Sequence, residues 1–130
     1  MVKDLSRDIP ELMTRAERSL EAARLLIDNE YYPEAVSRTY YAMFYAATAL
    51  LHSEGIAVSK HSAVIAQVGQ HFANTGKIAV HLHRALIDVF DERQTADYGG
   101  IIFSHDDTES AYQAAGEFVQ AAREYLDELG

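Results

Sequence analysis

Three short stretches hold the side chains that could do chemistry. In the first, Glu34, Arg38, Tyr41, Tyr45, Thr48 and His52 are spaced by four, three, four, three and four residues, which makes one row on an α-helix. A row of cation, phenols and imidazole can bind an anion or line a contact between subunits. Tyrosine and arginine are enriched where protein surfaces meet. Burial of Arg38 would demand a carboxylate, and Glu34 lies one turn away. Three readings of the row stay open: a surface face, a subunit interface, or a ligand or RNA cleft.

The second stretch is Ser59, Lys60 and His61, at the start of a helical pattern. Free N–H groups and the positive end of the helix dipole collect there, so the three residues suit an anion site. The third is Arg93, Asp97 and Tyr98, beside Gly99 and Gly100. Arg93 and Asp97 are four apart and can pair on one face. Metal chemistry is not expected. No HExxH motif occurs, His81 and His83 fall on different sides of a helix, and His61 and His71 are too far apart along one. There is no phosphate-loop motif, no GxGxxG and no GxSxG. No cofactor is therefore expected. With no cysteine, disulfides, thiolate metal sites and cysteine nucleophiles are excluded.

These residues need helices to carry them. Leu5, Ile9, Leu12, Ala16, Leu20, Ala23 and Ile27 recur at steps of three and four, predicting a first helix that ends near Asn29. Pro10 fits its first turn, leaving the preceding residues as a loose arm. Pro33 opens a second helix that runs to about Ser53 and stops near Gly55. Its core stripe is Val36, Tyr40, Met43, Ala47 and Leu50, with Ala42, Ala46 and Ala49 allowing close approach. A third helix follows from an N-cap at Ser59 to Gly76, with Val64, Val68 and Phe72 inward. A fourth spans about Ile78 to Thr95 on Leu82, Leu86, Val89 and Phe90. A fifth, capped by Asp106 or Asp107, uses Ala111, Ala115, Phe118, Ala122, Tyr125 and Leu129. The expected fold is all-α: an antiparallel up-and-down four-helix bundle with an additional short helix, one domain over residues 1–130.

Apolar residues make up 48% of the 130 residues and charged ones 24%, enough for a core and unlike a disordered chain. The net charge of −9 repels nucleic acid and anionic membranes at long range, so any phosphate contact needs a local basic patch. MVKDLSRDIPEL has no apolar run and no stretch approaches a membrane span, so no signal peptide and no membrane association are expected. A cytoplasmic location is the matching expectation.

The runs SRTYYAMFYAATALLHSEG, SKHSAVI and DERQTADY, in this order, resemble the small prokaryotic HEPN domains. The shared pattern falls on Arg38, Tyr40, Tyr41, Ala42, Phe44 and Ala46; on Lys60, His61 and Ser62; and on Arg93, Ala96, Asp97 and Tyr98. The resemblance implies a bundle paired as a homodimer. It also implies a minimal nucleotidyltransferase as partner in a toxin–antitoxin-like pair, and binding of nucleotide or RNA. Many members of that family are metal-independent ribonucleases that use an arginine followed after four to six residues by a histidine. None of the eight arginines here has that histidine; after Arg93 the window holds Tyr98, Gly99 and Gly100. The expectation is a non-enzymatic binding module, with a ribonuclease built on His61 or His105 and Arg93 or Arg38 as the alternative. The residues singled out for a binding cleft or interface are Arg38, Tyr41, Tyr45, Lys60, His61, Arg93, Asp97 and Tyr98.

Overall fold

The computed structural model describes residues 4–97 and 103–130. All its regular structure is helical, with no strand among the described residues. Helix α1 is Ile9–Asp28, α2 is Tyr32–Ser53, α3 is His61–Val68, α4 is Val80–Asp97 and α5 is His105–Leu129. Helix α2 packs against α1, α4 and α5, while α1 and α4 each also touch α5. Short α3 lies against α2 and α4. This is the antiparallel four-helix bundle with one additional short helix.

The core follows the heptad-like spacing of the chain. Val36, Tyr40, Met43, Ala47 and Leu50 of α2 are fully buried, as are Ala42, Ala46 and Ala49 beside them. Small residues let the facing helices come close, and removal of this apolar surface from water is the main stabilising term. Val64, Val68 and Phe72 complete the core under α3, and Phe118 and Ala122 from α5. Leu129 is the exception on the α5 stripe, since it is exposed at the last turn.

Several local expectations are corrected. The residues ahead of Pro10 are not all a loose arm. Leu5–Asp8 form a 3₁₀ turn with Leu5 buried, and Asp4 caps it by accepting from the Ser6 N–H at 3.0 Å. Ser59 is not the cap of α3; Lys60 holds that position without a side-chain hydrogen bond. Ser104, not Asp106 or Asp107, caps α5. Its hydroxyl accepts from the Asp107 N–H at 3.0 Å, while Asp106 and Asp107 sit in the first turn, where the helix dipole favours a carboxylate. Nor does the third helix run as one α-helix to Gly76. Beyond Val68 the backbone widens into a π turn, Gly69–Ala73, closed by Asn74 N–H donating to the Gly69 carbonyl.

His83 accounts for that turn's glycine. A Cβ at Gly69 would lie 2.6 Å from His83 Cε1 and 2.8 Å from Nε2. The bare backbone lets the imidazole in, and Nε2–H donates to the Ile65 carbonyl at 2.9 Å.

Candidate functional site

Helix α2 supplies the floor of the site. Tyr40 and Tyr41 are adjacent, and Phe44 stands one turn from both, so three rings share one edge of the helix. Their centroids lie 5.5 to 6.4 Å apart. His61, the first residue of α3, drops onto this edge. Its ring stacks on Phe44 at 4.3 Å between centroids and 26° between planes, and its Nδ1 lies 3.0 Å from the Tyr40 hydroxyl. Phe90 of α4 closes the far side against Tyr40 at 5.5 Å.

Arg93, one turn of α4 beyond Val89, reaches the same edge. Its Nη2 donates to the Tyr41 hydroxyl at 3.1 Å, and its guanidinium sits 5.1 Å from the Tyr41 centroid and 5.4 Å from that of Tyr40. Asp97 Oδ2 lies 3.1 Å from Arg93 Nε, off the direction of its N–H, so charge rather than a directed hydrogen bond joins them. Arg38 places its own guanidinium 5.2 Å from the Tyr41 centroid. Two arginines from different helices therefore converge on one phenol ring in a chain of net charge −9.

The titration behaviour follows from burial and from Arg93. Burial pushes the His61 pKa below its ordinary value, and the Arg93 charge lowers it further. Burial holds the Tyr40 phenol well above its usual value, partly opposed by Arg93. At neutral pH Tyr40 is thus an O–H and His61 a neutral imidazole. Tyr40 is fully buried, and His61 Nδ1 is its hydrogen-bond partner. The phenol therefore donates to Nδ1, which fixes the proton of His61 on Nε2. The imidazole is left presenting a donor, with its lone pair already taken.

Of the residues singled out from the sequence, Arg38, Tyr41, His61, Arg93 and Asp97 meet here. Tyr45 flanks them, its ring 6.1 Å from Tyr41 and 6.3 Å from Phe44 between centroids. It faces the α1 side, where it lines a groove of about 300 Å³ with Arg38, Arg15, Arg18, Ser19 and Ala22. Lys60 is exposed, with no ion pair among the described residues. Tyr98 lies outside the described residues. Glu34 makes no ion pair with Arg38 among them; the half-buried guanidinium rests on an aromatic face instead. His105 meets the Tyr32 ring and Asp106, which leaves His61 as the imidazole near Arg93. Spacing marks Tyr40 and Phe90 as core, and the family resemblance includes Tyr40 and Phe44, yet none of the three was singled out for the site. The signal was the doubled tyrosine, because a second phenol buried in a core needs a hydrogen-bond acceptor.

The bundle and this aromatic–arginine edge define a helical domain of one family. The HEPN domain matches residues 9–125, and the chain belongs to that family. It is 42% identical over 118 residues to the UPF0332 protein glr0978 of Gloeobacter violaceus, covering 89% of this chain and 94% of that one. A UPF0332 protein of Thermotoga maritima is 36% identical over 116 residues, 88% of each chain. A Methanocaldococcus jannaschii protein named "Putative toxin MJ0142" is 36% identical over 121 residues, covering 92% of this chain and 82% of that one.

Proposed function

We propose that this chain is a non-enzymatic HEPN module of a toxin–antitoxin-like pair. It dimerises, engages a protein partner of the minimal nucleotidyltransferase kind, and holds a nucleotide or RNA phosphate at the Arg38–Tyr41–Arg93–His61 edge. One observation carries the binding part: Arg93 reaches the edge where the Tyr40 hydroxyl occupies His61 Nδ1, from which it follows that Arg93 and His61 Nε2–H are both donors. Guanidinium groups match phosphate oxygens in bidentate fashion. An imidazole whose acceptor nitrogen is engaged contributes one more donor and lacks the free lone pair that a general base needs. The relatives named as toxins support placement in such a pair.

Convergence of Arg93 and His61 around Tyr40 also favours a second reading, metal-independent RNA cleavage with Arg93 on the phosphate. Labelled RNA incubated with the protein in chelator separates the two. The binding reading expects a shift in RNA or nucleotide fluorescence anisotropy that Arg93→Ala abolishes, and intact RNA throughout. Cleavage that His61→Ala removes would overturn it. Co-expression with a minimal nucleotidyltransferase tests the partner, and a chain that stays monomeric and alone in that experiment refutes the paired module.

A further inference from the structure

The groove beside Tyr45 belongs to a longer track along the seam between α1 and α2. A second groove of about 250 Å³ adjoins it, lined by Asp8, Glu11, Leu12, Arg15 and His52, and the two share Arg15. Asp8, Glu11, Arg15 and Arg18 are all exposed and follow one another at steps of three, four and three, so they form one stripe. Its charges run minus, minus, plus, plus. The stripe is therefore antisymmetric about the height of residue 13: turned end over end, it places Asp8 opposite Arg18 and Glu11 opposite Arg15.

A surface with that property is complementary to itself under a two-fold axis, which is the symmetry of an isologous dimer. We propose that the occupant of this track is a second copy of the chain. In the dimer α1 crosses α1 antiparallel, Asp8 of each copy pairs with Arg18 of the other, and Glu11 with Arg15. Glu11 and Arg15 already lie 3.0 Å apart within one copy, so the four central groups close into a ring of alternating charge. Leu12 supplies apolar surface beside that ring. A long polyanion does not fit the same track, because its phosphates would have to pass Asp8 and Glu11. This inference rests on the reading that the chain dimerises, and it names the face that does so.

Charge reversal tests it on the full chain by light scattering behind size exclusion. Asp8→Arg and Arg18→Glu each place like charges opposite one another, and each alone should weaken the dimer by roughly 10- to 100-fold. Mixed in equal amounts, the two variants restore both pairs and should give a heterodimer of twice the 14.5 kDa chain mass. The double variant Asp8→Arg/Arg18→Glu should self-associate like the parent chain. Circular dichroism checks that each variant is as helical as the parent. Singles that dimerise with parental affinity, or a mixture that stays monomeric, overturn this face. A parental dimer indifferent to every swap would refute the face and leave the dimer itself standing. A parental chain that is monomeric at all concentrations would refute both.

Discussion

Arg93→Ala should break the arginine–aromatic edge in a way that two independent measurements can read. Arg93 gives one hydrogen bond to Tyr41 and lies against two rings, and its side chain is only 22% exposed. A net hydrogen bond contributes about 1 kcal/mol. Each cation–ring contact contributes about 0.5 kcal/mol at a partly wet site. The pair with the half-exposed Asp97 adds little. Alanine and arginine have similar helix propensities, so that difference is small. The expected destabilisation is therefore about 2 kcal/mol, read as a fall in the urea midpoint at unchanged slope. Loss of the cation should also let the His61 pKa rise, since Arg93 is one of the two causes that lower it. The His61 ring protons report this in an NMR titration. Arg93→Lys keeps the charge and loses the fork, so it should weaken the fold while leaving the His61 titration low. A stability change below about 0.5 kcal/mol together with an unmoved His61 titration would refute the account of the edge. A fall in the His61 pKa would refute its electrostatics.

Three further outcomes are expected. Because the folded chain holds His61 below the ordinary 6.5, the unfolded chain binds more protons in that range, so stability should drop as pH falls below about 6.5, and His61→Phe should flatten this part of the curve. Glu109 accepts from Arg24 at 2.8 Å and from Gln113 at 3.0 Å, which lowers its pKa to about 2; Arg24→Ala should move the Glu109 titration back toward 4.5, as carbon-detected NMR would show. Gly69→Ala should lower stability by about 1–2 kcal/mol, because the new methyl displaces His83 from the Ile65 carbonyl, and the same change in a His83→Ala background should be nearly neutral in a urea melt.

Much of the fold could be read from spacing because burial on a helix has one period. The α2 stripe Val36, Tyr40, Met43, Ala47 and Leu50 is wholly buried, as its spacing predicts. Breakers were legible too: Gly55 takes a φ of 73° just past α2, a backbone state that glycine enters freely. What could not be read depends on contacts between distant residues. His61 is 21 residues from Tyr40, and periodicity says nothing about which imidazole a buried phenol will find. Arg93 is 52 residues from Tyr41, and the local candidates for the partner of each arginine, Asp97 and Glu34, explained only part of one and none of the other. Caps were misplaced for a smaller reason. Ser104 and the two aspartates after it are all good N-terminal residues, and the choice turns on which of them first leaves helical backbone angles.

The widened turn at Gly69–Ala73 bears on how this chain tolerates changes in length. A π turn carries one residue more than an α turn over the same stretch of axis, so it is an insertion that the flanking helix has absorbed. Deleting Gln70, which is exposed, would let the backbone close to ordinary α spacing. Val64 and Val68 before the turn, and Ile78 and Leu82 after it, would keep their places in the core. Elsewhere in the bundle a lost residue turns a whole stripe away from its partners. At the Gly69–Ala73 turn the adjustment falls on Gly69, Phe72 and Ala73, the buried residues within it.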